Sequence, residues 1–192
     1  PWQIGWSATG RLAITLDPQW KNGDYYDGEP GEGPHAGLAV ARSVAQITYR
    51  SDEVYQDRFG RNMVDPSQVF GHWDRFSVES YLDHHGEKLA RRFDANSYLI
   101  LNRAMDLHDV ARGRGSAERA FSMLQASVLS ISINTDTLYH PRLQSDLADL
   151  ARGAGVETEY QIIDSPHGHD GFLLEADAVG AALGKFLDRA DG

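Results

Sequence analysis

The sequence contains no cysteine, which excludes a disulfide framework, a zinc site with cysteine ligands and a thiol nucleophile. It also lacks a basic surplus, because 18 Lys and Arg residues stand against 28 Asp and Glu residues, giving a formal net charge of -10. A nucleic-acid-binding surface needs basic residues to neutralise phosphates, so the composition argues against that class of partner. No apolar run approaches the ~18 residues that a membrane-spanning helix requires.

The pattern of apolar residues divides the chain near residue 115, after the Gly-rich stretch ARGRGS. Residues 1–115 are rich in helix signals and poor in strand signals. They predict three helices: one around Leu38–Thr48, one capped by Ser77 and one capped by Asp94. Residues 116–192 predict alternating strands and helices, at 128–133, 141–153, 156–163 and 173–187. The fold class indicated is therefore α/β, with a helical first part.

The order strand, helix, strand, helix predicts that the two strands of the second part are parallel neighbours. A parallel sheet is normally covered on both faces and built from several strands, and two strands alone are marginal. The second part therefore implies more strands than the chain contains. The chain also begins with Pro1 rather than Met. This opening resembles neither a signal peptide nor a translation start, so we expect a cut end.

Two ionisable residues follow the two predicted strands. Asp136 comes after the first strand, and His169 comes 33 residues later, in the segment SPHGHDGF that follows the second. A carboxylate at one strand end and an imidazole at the next are how an α/β hydrolase places the second and third members of a nucleophile–Asp–His triad. The first member should lie on a Gly-x-Ser-x-Gly turn, and no such motif occurs in the 192 residues. The sequence therefore indicates the acid–base half of an active site.

Each of these residues also has an ordinary interpretation. Asp136 could simply cap the turn that follows a strand, and His169 could be a loop histidine with satisfied hydrogen bonds. His167 is the alternative imidazole, interpreted as a wall residue or a solvated side chain. The pattern His-x-His-Asp also raises the question of a metal site, but His84, His85 and His108 show no ligand spacing, so no metal is expected.

Four stretches of the chain resemble the C-terminal half of the homoserine O-acetyltransferase family, which belongs to the α/β-hydrolase superfamily. They are GPHAGLAVARSVAQITYRSDEVYQDRFGR, FSVESYLDHHGEKLARRFDANSYLILNRAMDLHD, INTDTLYHP and SPHGHDGFLLEADAV. Their order is that of the family. Thr135 departs from the family pattern, which commonly has Ser before the acid. The resemblance implies that most of the sheet and the nucleophilic serine lie in an N-terminal half that this chain lacks.

The resemblance also implies roles for particular residues. Asp136 and His169 would be catalytic, while Arg42, Tyr49 and Asp170 would bind the acceptor amino acid. Arg42 would pair with its carboxylate and Asp170 with its ammonium. Residues 1–115 would form a helical lid with connecting loops, and residues 116–192 the C-terminal part of the α/β-hydrolase core.

The activity implied is ping-pong transfer of an acetyl group from acetyl-CoA to the hydroxyl of L-homoserine, a step of methionine biosynthesis. Acetyl-CoA would be a co-substrate, and no bound cofactor is expected. The complete enzyme is expected to be a cytoplasmic homodimer, with the nucleophile on a second chain or a missing segment, so this chain alone should be inactive. The alternatives are a succinyl- or other O-acyltransferase, an esterase of the same fold, or a non-catalytic fragment or interaction subunit.

Overall fold

The computed structural model describes residues 1–29, 31–67 and 70–190, and it divides them into two compact units. The first unit comprises Pro1–Thr48 and Asp52–Leu107. The second comprises the short segment Tyr49–Ser51 and the described residues from His108 onward. The predicted organisation, 1–115 as lid and 116–192 as core, stays a prediction about function.

The first unit is helical, as its apolar spacing predicts. Its helices are α1 (Trp2–Leu16), α2 (His35–Tyr49, whose last residue belongs to the second unit), α3 (Asp52–Phe59), α4 (Ser77–Ala90) and α5 (Ala95–Leu107). Asp94 caps α5 as predicted, because its Oδ2 accepts a hydrogen bond from the backbone N–H of Ser97 at 2.7 Å. The cap predicted at Ser77 is one residue off. Phe76 holds that position, and its N–H donates to the Glu79 carboxylate at 2.7 Å.

The core of the first unit lies where α1, α2, α4 and α5 meet. Its buried residues are Ile14, Leu38, Ala41, Ala90 and Ala95. Gly37 lets α2 approach α1 closely, because a Cβ at this position would lie 2.5 Å from the carbonyl oxygen of Ala13. Gly37 also donates its N–H to Asp17 at 2.8 Å. Close backbone approach and a hydrogen bond thus fix α2 against the preceding helix.

The second unit carries the strands. It contains α6 (Ala117–Phe121), β1 (Val128–Ile133), α7 (Pro141–Gly153), β2 (Thr158–Ile163), α8 (Gly171–Leu174) and α9 (Ala176–Ala190). The strands pair in parallel from Val128 opposite Thr158 to Ile133 opposite Ile163, which confirms the predicted pairing. The bounds of β1 and α7 also agree with the prediction, whereas β2 begins two residues later than predicted.

The prediction of one continuous final helix over 173–187 is wrong. The structure has a short α8, a break at Glu175 and then α9. At the break, the Glu175 carboxylate accepts a hydrogen bond from the hydroxyl of Ser165 at 2.8 Å. Leu183, an apolar residue of α9, is 44% exposed. The apolar face of α9 is thus only partly covered within the second unit.

Polar side chains join α7 to the sheet. Ser130 donates to the carbonyl oxygen of Gln144 at 3.2 Å. The Tyr160 hydroxyl accepts from Ser132 at 2.7 Å and donates to the carbonyl oxygen of Pro141 at 3.0 Å. Buried hydroxyl groups need partners. These bonds therefore hold the start of α7 against the two strands. Across the described residues, no helix is both long and apolar enough to cross a membrane.

Candidate active site

Asp136 and His169 meet at the carboxyl ends of the two parallel strands. Oδ2 of Asp136 lies 2.9 Å from Nδ1 of His169, within the 2.6–3.2 Å expected for a hydrogen-bonded acid–base pair. Parallel strands end at the same edge of a sheet, so residues that follow them are brought together although 33 positions separate them. The Asp136 side chain is buried and that of His169 is about one-quarter exposed.

The second oxygen of Asp136 serves the turn after β1. Oδ1 accepts hydrogen bonds from the backbone N–H groups of Leu138 and Tyr139, each at 2.8 Å. Asp136 is therefore both the turn cap of the ordinary interpretation and the partner of the imidazole. The two functions use different oxygens, so the turn holds the carboxylate through Oδ1 while Oδ2 contacts His169.

The hydrogen bonds around Asp136 decide its protonation. Burial by itself raises the pKa of this carboxyl, but the hydrogen bonds from His169 and from the backbone of Tyr139 and Leu138 outweigh burial and lower the pKa below its usual value. Asp136 is thus ionised at neutral pH and can only accept. Nδ1 of His169 must then carry a proton, which leaves Nε2 of the neutral ring with the lone pair of a general base.

Three aromatic rings surround His169. The ring centroids of Phe172, Tyr139 and Tyr49 lie 5.3, 5.4 and 5.8 Å from that of the imidazole. These contacts limit the rotation of the imidazole and keep much of it from water. Sequence reasoning assigned Tyr49 to the acceptor pocket, and the structure places it in the second unit beside His169. Phe172 and Tyr139 were not predicted, although each lies within three residues of a candidate catalytic residue.

Asp170 pairs with a residue that sequence reasoning missed. Nε of Arg50 lies 3.1 Å from Oδ2 of Asp170, and both side chains are about one-fifth exposed. The Nε–H is nevertheless not aligned for a hydrogen bond, so the contact is an electrostatic pair rather than a directed bond. The signal was available, since Arg50 directly follows Tyr49, but 120 residues separate it from its partner.

The segment Tyr49–Ser51 packs on the His169 loop at a further point. The Ser51 hydroxyl donates a hydrogen bond to the carbonyl oxygen of Pro166. Gly168 lies against the backbone of Arg50 and Ser51, where a Cβ would come within 2.6 Å of Ser51 N. Gly168 also has a φ of +66°, so glycine suits this position for two independent reasons.

Arg42 and His167 complete the predicted set. Arg42 is on α2 in the first unit, where its charge, after burial, contributes to the lowered pKa of His85. Its approach to Tyr49 and Asp170 in one pocket stays a prediction. His167 donates its backbone N–H to the Ser165 hydroxyl at 3.2 Å, and its buried Nδ1 has no hydrogen-bond partner among the described residues. Within the described part of the chain, no group of three or more His, Asp or Glu residues could hold a metal.

Comparison with known proteins places this geometry in a family. No family model matches the chain. The homoserine O-acetyltransferase of Carboxydothermus hydrogenoformans is 43% identical over the whole of this chain and 50% of its own length. That of Thermobifida fusca is 46% identical over 96% of this chain and 48% of its own length. The chain thus spans about half the length of the curated relatives it matches.

Solved structures show the same fold. The homoserine O-acetyltransferase of Bacillus anthracis superposes with a TM-score of 0.80 at 27% identity, over 90% of this chain and 45% of that protein. Esterase E22 superposes with a TM-score of 0.84 at 23% identity, over 97% of this chain and 50% of its own. At that identity the likeness to the esterase concerns the fold alone. The predicted fold class, part of an α/β-hydrolase fold, is confirmed.

Proposed function

Because this chain belongs to the homoserine O-acetyltransferase family, we propose that it supplies the acid–base pair of an enzyme that transfers acetyl from acetyl-CoA to L-homoserine. The observation that carries the proposal is the Asp136–His169 pair, with a 2.9 Å contact and an ionised, turn-fixed carboxylate. The nucleophilic serine would come from an N-terminal half, as a preceding segment or a second polypeptide. Cytoplasmic location, homodimerisation and a role in methionine biosynthesis are further parts of this proposal.

The proposed reaction has two half-reactions that use His169 in turn. In the first, Nε2 takes the proton of the serine hydroxyl as its oxygen bonds to the acetyl carbon, and then gives that proton to the departing CoA thiolate. In the second, Nε2 takes the proton of the homoserine hydroxyl as it attacks the acetyl-serine, and returns it to the serine oxygen. Asp136 holds the ring and stabilises the imidazolium in both. Acetyl-CoA is consumed as a co-substrate, and the residues described here need no bound cofactor for these steps.

Acceptor recognition is the role proposed for Arg42, Tyr49 and Asp170. An amino acid presents a carboxylate and an ammonium, so its site needs one cationic and one anionic anchor. Asp170 adjoins His169, which suits an anchor that presents the acceptor hydroxyl to Nε2. The lid role predicted for residues 1–115 would be to exclude water, so that homoserine rather than water receives the acetyl group.

The first test compares this chain alone with the complete enzyme. The chain alone should show no acetyl transfer, since it has no Gly-x-Ser-x-Gly motif. Adding the N-terminal half should give CoA release that depends on homoserine. Release with succinyl-CoA but not acetyl-CoA would show a different donor. Sustained release without homoserine, beyond the single equivalent that acylates the serine, would show a hydrolase. Turnover by the pure 192-residue chain would contradict the proposal.

The second test separates the two half-reactions. Arg42→Ala should slow transfer to homoserine about tenfold to a hundredfold, because a lost charge-assisted hydrogen bond costs roughly 1.5–3 kcal/mol. Formation of the acetyl-enzyme should be unchanged, since it needs only the triad and the oxyanion hole. Arg103→Ala, a change at an exposed position of α5, is the matched control. Equal loss in both half-reactions would show that Arg42 does not act on the acceptor.

A further inference from the structure

One hydroxyl group connects the backbones that carry the two candidate catalytic residues. Oγ1 of Thr135 donates a hydrogen bond to the carbonyl oxygen of Ser165 at 2.6 Å and accepts one from the N–H of Gly168 at 2.9 Å. Thr135 immediately precedes Asp136, and Gly168 immediately precedes His169. The hydroxyl therefore lies between the end of β1 and the loop after β2, at the point where the acid and the imidazole must meet.

The loop that carries His169 is also joined to the end of β1 where the loop begins. Its first residue, Ser165, donates its N–H to the Asn134 side chain at 2.9 Å. From there to the candidate base the backbone leaves the strand and reaches the left-handed conformation of Gly168. Thr135 is the hydrogen-bond partner that the structure gives to the Gly168 N–H, and its hydroxyl uses both its donor and its acceptor capacity. The hydrogen bond of the peptide next to His169 thus depends on this one side chain, in addition to the packing of Gly168 on the Arg50–Ser51 backbone.

We propose that Thr135 is a positioning residue, whose hydroxyl holds the Gly168 peptide so that the His169 ring meets Asp136. The proposal rests on the proposed acyl-transfer function for its chemical readout, but not on the identity of the acceptor. A misplacement of about 1 Å in a catalytic group costs on the order of a hundredfold in rate. The hydroxyl, not the methyl group, carries this role, because both contacts are made by Oγ1. Serine should therefore replace threonine, and valine should not.

The test uses three variants of the complete enzyme and p-nitrophenyl acetate, an acyl donor that requires neither CoA nor homoserine. Thr135→Val keeps the shape but removes the hydroxyl, and Thr135→Ser keeps the hydroxyl. Thr158→Val is the matched control, because it removes a hydroxyl that donates to Val156 at 3.0 Å at the other end of β2. Thr135→Val should lower the rate constant of serine acylation about tenfold to a hundredfold with KM unchanged. The other two variants should stay within about threefold of the parent enzyme.

A spectroscopic readout keeps the test independent of turnover. In the parent enzyme the Nδ1 proton of His169, held against Asp136, should give a far-downfield NMR signal, and the Gly168 amide should be protected from exchange. Thr135→Val should broaden or remove the signal and expose the amide, while Thr135→Ser and Thr158→Val should retain both. If the parent enzyme did not acylate at all, the proposed function would fail, and this readout would still decide the role of Thr135.

Three results would overturn the proposal. The first is an unchanged acylation rate and an unchanged Nδ1 signal in Thr135→Val. The second is an equal loss in Thr135→Ser, which would assign the effect to the methyl group. The third is a loss in Thr158→Val that matches that in Thr135→Val, which would mean that both variants merely destabilise the second unit.

Discussion

Gly168→Ala should disturb the candidate active site without touching either candidate catalytic side chain. The added Cβ would lie 2.6 Å from Ser51 N and 3.0 Å from Arg50 Cα. Ordinary van der Waals contact begins near 3.4 Å, so the backbone of the Tyr49–Ser51 segment and the loop must move apart. The φ of +66° adds strain, because an L-residue with a Cβ rarely adopts it.

The magnitude follows from these two effects. The left-handed conformation costs roughly 1–2 kcal/mol for a residue with a Cβ, and forcing a group into a packed contact costs roughly 1–3 kcal/mol. Gly168→Ala should therefore lower the free energy of unfolding by about 2–5 kcal/mol. The separation should also weaken the Ser51–Pro166 hydrogen bond and displace the loop that carries His169, so the acylation rate should fall with it.

The measurement is urea unfolding of the complete enzyme, paired with the burst rate of acylation by p-nitrophenyl acetate. Gly180→Ala is the matched control, since a Cβ at this position in α9 meets nothing within 4 Å. It should be neutral or stabilise by up to about 1 kcal/mol, because alanine favours helix more than glycine. A Gly168→Ala enzyme with the parent's stability and burst rate would refute the reasoning, since the close contact would then have to be absent in solution.

Three further predictions concern single side chains. Asp136→Asn should lower kcat about 10⁴-fold with little loss of stability, because an amide cannot hold the imidazolium. A steady-state assay measures kcat and thermal unfolding measures the stability, and a small loss of kcat would contradict the prediction. Arg50→Gln should raise the KM for homoserine about tenfold, because an unpaired Asp170 can turn away. Arg50→Lys should restore most of the parent enzyme's KM. An unchanged KM in Arg50→Gln would show that Arg50 has only a structural role. Asp94→Ala should destabilise by about 1–2 kcal/mol at neutral pH. Burial raises the pKa of Asp94, but hydrogen bonds from Tyr25 and Ser97 lower it overall, so this difference should vanish as the pH falls through the lowered value.

The sequence predicts the elements of the second unit well where the ends of an element depend on its own residues. Pro141 begins α7 because its fixed φ suits the first helical turn, and Gly153 is the last residue of that helix. The alternation in VLSISI predicts β1 to the residue. Because the strands are parallel, the position of Asp136 and His169 after them was enough to predict their contact. These inferences use only short-range chemistry and one rule of sheet topology.

Contacts between distant segments were not predictable in the same way. The break at Glu175 coincides with a hydrogen bond to Ser165, and nothing in the helical spacing of 171–190 signals it. The ion pair of Arg50 with Asp170 joins positions 120 residues apart. The apolar face of α9 is partly exposed at Leu183, because the described part of the second unit has two strands for that helix to cover. Such features depend on how all the elements pack together, and the periodicity of apolar residues carries no information about that packing.

The ion pair at Asp170 changes the electrostatic argument for the site. Two carboxylates lie beside the candidate base: Asp136 contacts the imidazole, and Asp170 follows His169 in the sequence. Without a cationic partner, Asp170 could compete with Asp136 for the imidazolium. Arg50 at 3.1 Å offsets that charge, whereas Asp136 has no cationic partner other than His169 among the described ion pairs. The Arg50 Nε–H is not aligned for a hydrogen bond, so its effect on Asp170 is electrostatic. The two acids thus have different partners, His169 for Asp136 and Arg50 for Asp170, and the contact of Asp170 with an amino-acid acceptor stays a prediction.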